Sequence, residues 1–396
     1  MLDFSYSQTT KVLFGRSSIE KIGEEVRAYT DKALIVTYAR VNPAREVAVT
    51  RTLAALENAG VSCILKRCVV GNPRVQRAKE LIPLCREERV GFVVAVGGGS
   101  VVDTAKGIAF GVMTEEDIWD DYFMVRGKAV SAALPVGVVL TIPAAGSEAS
   151  ASSCMTDENS GLKRTVTHPA LLPKFVATDP QIHTSLPPYQ TACGICDIFS
   201  HLMERYFVAV EHVDFTDRLI EAAMRSLLFN APKVMRDPEN YDLRAEIAWI
   251  GTVAHNGIMN TGRGGGDWAS HFMGHELSAF YDMAHGATLA IMIPSWMRYV
   301  YRDARGLFLQ FAIRVMGVDA TLRDDDAAIM EGIDRLEAFF RSLGLPTTMQ
   351  EAGLPEDKIP EMAHDCVFAS GKIGNCKVLY EEDALKIFKM AYKKMR

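Results

Sequence analysis

The stretch VGFVVAVGGGSVVDTAKG, residues 90–107, decides how the rest of the chain is read. An apolar run enters three consecutive glycines, Gly97, Gly98 and Gly99, and Ser100 then opens a segment with helical periodicity. A continuous apolar run ended by glycine suits a strand buried on both faces. Glycines let backbone N–H groups approach a phosphate closely, and a helix N-terminus adds partial positive charge. Ser100 can donate or cap, and Asp103 can complete the first turn. The segment is neither G-x-G-x-x-G nor a P-loop with its lysine, so a nucleotide site rests on the strand-to-helix placement, with a ligand-free tight turn as the alternative.

Outward from this stretch, short apolar runs alternate with helical patterns. KALIVTY (32–38) and SCILKRCVV (62–70) read as strands, and VAVTRTLAALENAG (47–60) and RAKELIPLCREER (77–89) as helices. Later strands are expected in PVGVVLTIP and KFVATDP. Such alternation implies parallel βαβ units covered on both faces. A second glycine-bearing segment, LTIPAAGSEASASS (140–153), carries Thr141, Ser147 and Glu148 beyond a buried strand. Ligands of open α/β sheets gather at such carboxyl ends.

From about Leu186 the character changes. LPPYQTACGICDIFSHLMERYF, DRLIEAAMRSLLFNAPKVM, LRAEIAWIGTVAHNGIMN and DAAIMEGIDRLEAFFRSLG all carry helical periodicity, and no strand pattern appears among them. The expected organisation is an α/β dinucleotide-binding domain over 1–185, Rossmann-like with a parallel sheet, and an all-helical domain over 186–396. A cleft between two such domains is a common ligand site.

The 396 residues, 48% hydrophobic and 23% charged, have the composition of a soluble globular protein. A net charge of −6 and the lack of a concentrated basic run argue against a nucleic-acid partner. The apolar stretch AVSAALPVGVVLTIPAAG (129–146) is long enough to suggest a membrane span, but Pro135, Gly137 and Pro143 break it. MLDFSYSQTTKVLFG has an early acid and no long apolar core, unlike a signal peptide, so a cytoplasmic location is the default expectation. Eight irregularly spaced cysteines suit reduced thiols rather than a disulfide framework.

CGICDIFSH (193–201) offers three readings: a thiol pair, a metal site, or cysteines that only pack. Cys193 and Cys196 have redox spacing, yet they lie in an apparent helix deep in the chain, not after the first strand of a βαβ unit, so packing is the expectation. Asp197 and His201, four apart, share a helix face. DWASHFMGHELSAFYDMAHG (267–286) adds His271, His275 and His285. His271 and His285 are fourteen residues apart, so one straight helix would separate them by roughly 21 Å, and the chain must reverse if both serve one ion. A carboxylate with imidazoles suits Fe(II) or Zn(II) with an open coordination position. Separate, satisfied histidines are the alternative.

Taken together, TKVLFG, GGGSVVDTAKG, LTIPAAGSE, ATDP, ICDIFSH, DWASHFMGHELSA and HGATLAI resemble the iron-containing (group III) alcohol dehydrogenase family, nearly end to end. The similarity is greatest to its NADPH-dependent butanol dehydrogenase and aldehyde reductase branch. The resemblance implies a dehydroquinate synthase-like fold and a homodimer. It also implies one divalent metal, Fe2+ ahead of Zn2+, on Asp197, His201, His271 and His285, with His275 beside the nicotinamide and substrate. Gly97, Gly98, Gly99 and Ser100 match the family's pyrophosphate turn, with Asp103 behind it. Thr141 and Ser147 match positions near the phosphates and nicotinamide, Lys163 a lysine near the cofactor, and Asn72 an asparagine near the adenosine.

TYARVNPARE (37–46) departs from the T-Y-G-G-G-S of the NADPH-using branch. The NAD-using branch commonly places an acid after the threonine, where this chain has Tyr38. No acid there opposes a 2′-phosphate, and Arg40 and Arg45 can pair with one, which favours NADP(H) over NAD(H). The implied chemistry is reversible oxidation of a primary alcohol, run mainly as aldehyde reduction, on a small-molecule substrate with no nucleic acid or membrane involved. The rival readings are a glycerol dehydrogenase-like or other polyol enzyme, a non-catalytic nucleotide-binding protein, and a thiol oxidoreductase.

Overall fold

The computed structural model describes residues 1–125, 128–321, 324–368 and 370–393. The chain forms two compact units, one of Ser7–Leu186 with Asp237–Asn256, the other of Met1–Tyr6, Pro187–Arg236 and Gly257–Arg396.

The first unit is built on eight strands: β1 (Lys11–Phe14), β2 (Lys32–Tyr38), β3 (Ser62–Val69), β4 (Phe92–Gly97), β5 (Val136–Leu140), β6 (Ser152–Thr156), β7 (Lys163–Thr167) and β8 (Phe175–Thr178). Six form a parallel sheet in the order β1-β8-β5-β4-β2-β3. Alternate residues of each central strand feed different cores. Leu34, Val36, Val93, Ala95 and Val138 pack on one face, and Ala33, Ile35, Phe92, Val94 and Val139 on the other. Burial on both faces is why these strands read as unbroken apolar runs.

Strand order reverses around β2, with β3 on one side and β4 on the other. The helix after β2, Pro43–Asn58, packs in the second core, and the helix after β4, Gly99–Val112, in the first. The two helices therefore leave on opposite faces, which opens a crevice at the carboxyl ends of β2 and β4. Tyr38 and Gly97–Ser100 stand at that switch point.

Three features differ from the expectation. The helix expected from 47 begins at Pro43, because the Asn42 side chain accepts from the N–H groups of Ala44 and Arg45 at 3.0 and 3.4 Å. β6 and β7 form an antiparallel pair that no apolar alternation announces. The helix Tyr241–His255, assigned by periodicity to the helical half, groups with the sheet. It is held there by Thr252 donating to Glu148 at 2.8 Å, by Arg16 over the Tyr241 ring at 3.9 Å, and by Trp249 edge-on to Phe14.

In the second unit no strand occurs among the described residues. Its central helix, Pro188–Tyr206, is buried at every residue from Thr191 to Tyr206. The long helices Asp214–Arg236, Ala269–Tyr281, His285–Val300 and Asp325–Ser342 belong to the same unit. Among the described residues no helix is long and apolar enough to cross a membrane, and the apolar stretch 129–146 supplies only β5.

Candidate metal centre and cofactor turn

A helix buried all round is normally apolar all round. Pro188–Tyr206 instead buries Asp197, Ser200, His201, Glu204 and Arg205. Each buried ionisable group costs several kcal/mol unless something compensates, roughly, so this concentration marks a site. His201 Nδ1 lies 3.6 Å from Asp197 Oδ1, one helical turn away. From the helix Ala269–Tyr281, His271 brings Nε2 to 4.0 Å from the same carboxylate oxygen. Ligand atoms of Asp197, His201 and His271 all fall within 4.8 Å of one another. His271 Nε2 is buried and has no hydrogen-bond partner. A buried imidazole nitrogen facing a carboxylate and a second imidazole is an arrangement a divalent cation satisfies.

The chain does reverse between His271 and His285. The first helix ends at Tyr281, Asp282 adopts a left-handed φ of 49°, and the next helix starts at His285. Gly286 makes that start possible. A Cβ there would stand 2.0 Å from the Cys193 carbonyl oxygen, so only glycine lets the two helices approach one turn before Asp197. The His285 ring centroid consequently lies 5.2 Å from that of His271 and 5.0 Å from that of His275. His285 is not within the 4.8 Å grouping of the other three. His275 is half-buried, its ring perpendicular to His271 at 6.3 Å.

All eight cysteines are free. Burial pushes the Cys193 thiol up to about 11 and Cys196 well above its ordinary value. A thiol kept protonated is a poor nucleophile and a poor ligand, so packing accounts for the pair.

At the switch point, the glycines serve close approach. A Cβ on Gly97 would meet Val101 at 2.3 Å, on Gly98 Ile142 at 2.9 Å, and on Gly99 Ala145 at 2.9 Å. The Gly98 N–H donates to the Tyr38 hydroxyl at 3.3 Å. Arg45 lies over the Tyr38 ring at 4.5 Å, while Arg40 is exposed. Ser100 is half-buried at the helix start. Thr141 follows β5, its hydroxyl buried and without a hydrogen-bond partner, which suits a polar ligand group at the strand ends. Asp103 and Ser147 are turned toward each other, the hydroxyl donating to the carboxylate at 2.5 Å. Lys163 donates to the Asn72 side chain at 3.3 Å, and Asn72 has a left-handed φ of 51°.

Sequence reasoning overlooked Lys106, Glu204 and Trp268. Glu204 follows His201 by three residues on the same helix, and that spacing was a usable signal. Lys106 and Trp268 carried none, because their roles depend on main-chain oxygens and on a left-handed turn.

The profile of the family described as "Iron-containing alcohol dehydrogenase" matches residues 9–180, and that of "Fe-containing alcohol dehydrogenase family, C-terminal" matches residues 191–392. The chain is 37% identical over 395 residues to NADH-dependent butanol dehydrogenase A of Clostridium acetobutylicum, covering 99% of this chain and 100% of that protein. It is 34% identical over 364 residues to the NADPH-dependent aldehyde reductase YqhD of Escherichia coli, covering 91% and 92%. The crystal structure of NADH-dependent butanol dehydrogenase A from Thermotoga maritima superposes with a TM-score of 0.93 at 33% identity, over 99% of both chains. With both halves matched and full-length relatives above 30% identity, the chain belongs to the iron-containing alcohol dehydrogenase family.

Proposed function

We propose that this chain is a metal-dependent alcohol dehydrogenase working mainly as an NADP(H)-linked reductase of small aldehydes to primary alcohols. The observation that carries the reading is the buried cluster of Asp197, His201 and His271, with donor atoms within 4.8 Å of one another. These three and His285 would hold one divalent ion, with Fe2+ ahead of Zn2+ in keeping with the family's description. When bound, such an ion supplies Lewis-acid polarisation of a carbonyl oxygen, and a reduced nicotinamide supplies hydride.

The remaining work falls to the chain. Asp197 contributes the one negative charge of the ligand set, and burial of the cluster keeps bulk water from competing for the ion. His275, half-buried beside His285, is the group proposed to pass a proton to the product oxygen. The backbone of Gly97–Ser100, with Thr141, would take the cofactor phosphates, and Asp103, Ser147, Lys163 and Asn72 would shape the site around them. The reading agrees with relatives named butanol dehydrogenase and aldehyde reductase.

Those relatives are named for both NADH and NADPH, so the preference proposed rests on this chain's own residues. Tyr38 fills the position of an acid that would repel a 2′-phosphate, and Arg45 lies on its ring with a positive charge. The proposal includes a homodimer, on the family resemblance, a cytoplasmic location as the default, and a domain division near 185 after which the helix Tyr241–His255 returns to the sheet unit. The test is metal analysis of the purified protein with initial rates for NADPH and NADH on butanal. Full butanal reduction by metal-free protein would overturn the reading.

A further inference from the structure

We propose that Glu204 is the positioning residue of the metal centre: it fixes which nitrogen of His271 is offered to the ion and anchors the helix on which His271 rides. This rests on the metal reading above. The Glu204 side chain is buried, and four donors converge on it. Oε1 receives the Ser270 hydroxyl at 2.5 Å, the His271 ring Nδ1 at 2.9 Å and the His271 backbone N–H at 3.3 Å. Oε2 receives the Trp268 backbone N–H at 2.5 Å.

Backbone N–H groups only donate, one lies on each oxygen, and an ionised carboxylate has no hydrogen of its own to give. Nδ1 of His271 therefore carries its hydrogen toward Oε1. The lone pair is left on Nε2, the buried nitrogen with no hydrogen-bond partner, 4.0 Å from Asp197 Oδ1. A carboxylate bonded behind an imidazole also raises the basicity of the ligating nitrogen.

The same carboxylate determines where the helix begins. Trp268 adopts a left-handed φ of 65°, a genuine outlier for a bulky side chain, immediately before Ala269–Tyr281. Oε2 holds the N–H of that strained residue. Its indole then stands edge-on to His271, with centroids 5.1 Å apart, and 6.0 Å from His201. Ring and backbone are thus held by one group on the neighbouring helix, a single turn beyond His201.

The experiment uses Co(II) as the probe, its affinity measured by chelator competition and its geometry by visible absorption, in wild type, Glu204→Gln, Glu204→Ala, Ser270→Ala and His271→Ala. Gln keeps the shape and an accepting oxygen, so it remains folded where Ala leaves four donors unpaired. The expected result is Co(II) binding weakened about 10–100-fold in Glu204→Gln with shifted Co(II) bands, and Ser270→Ala close to wild type. A helix cap with no role toward the ion would lower thermal stability and leave affinity and bands unchanged; that result in Glu204→Gln overturns the proposal. If wild type binds Co(II) no better than His271→Ala, the metal reading itself fails and takes the role of Glu204 with it.

Discussion

Lys106 donates its ammonium to the main-chain oxygen of Ser147 at 2.7 Å, and the same nitrogen reaches the Ser147 hydroxyl and the carbonyls of Ser150 and Ser152. The lysine belongs to the helix that follows the glycine turn and is wholly buried. Burial lowers its pKa to about 8, against the opposing pull of Asp103 and Glu148. One cation thus ties the loop after β5 to the helix after β4. Lys106→Met keeps most of the stem volume but leaves those oxygens without their donor and two buried acids without their cation. The expected cost is about 3–5 kcal/mol, read as a fall in urea midpoint together with weaker cofactor binding. A midpoint within error of wild type would remove Lys106 from this role.

Arg45 and Tyr38 form the second relationship with a functional reading. The guanidinium lies on the ring, and the ring hydroxyl accepts from Gly98 in the glycine turn. A charge-assisted contact with a 2′-phosphate is worth about 1.5–3 kcal/mol, or roughly 10–100-fold. Arg45→Ala is expected to raise KM for NADPH by about that factor and to leave KM for NADH nearly unchanged. Equal effects on both cofactors would assign Arg45 to the shared part of the molecule, and a wild type that prefers NADH would reverse the preference.

The parts legible in the sequence share one property: each is fixed by local pattern. β2, β4 and β5 lie where continuous apolar runs placed them, since a strand covered on both faces cannot hide its pattern. Asp197 and His201 were visible because helical spacing alone puts them on one face. The reach of His285 was conditional on a chain reversal that depends on Asp282 and Gly286, neither of which announces a helix crossing. The helix Tyr241–His255 was assigned to the wrong neighbours because periodicity reports a buried face and not what covers it. β6 and β7 were invisible for want of alternation.

His183 makes the sheet unit sensitive to acid. Its Nε2 is 2.9 Å from the Leu140 carbonyl oxygen at the end of β5, and the residue is fully buried. Burial lowers its pKa to about 4, with Arg244 adding to the effect and Asp179 opposing it. Below the ordinary value near 6.5 the unfolded chain takes up a proton that the folded chain refuses. Stability from this site is complete above about pH 6.5 and is lost as pH falls toward 4, by up to roughly 3 kcal/mol. Urea midpoints between pH 7 and pH 5 should therefore fall more steeply in wild type than in His183→Gln. Parallel profiles would mean that other groups carry the acid sensitivity.

His271 provides the most direct test of the metal centre, since it contributes a buried nitrogen that faces Asp197, beside the His201 ring. Replacing it with alanine removes one donor and leaves Asp197 as a buried carboxylate. Loss of one ligand from a small N/O set should strip the ion during purification. Lewis-acid stabilisation worth several kcal/mol corresponds to a fall in turnover of about 1,000-fold or more. Chelation of wild type should reproduce that loss, and added Fe(II) or Zn(II) should restore wild type but not His271→Ala. The control is Cys193→Ser, which should keep its metal and its rate, because Cys193 is held as a buried thiol. If instead Cys193→Ser lost activity with metal still bound while His271→Ala remained active, the chemistry of this helix would belong to its thiols, and the assignment of Asp197, His201 and His271 would fall.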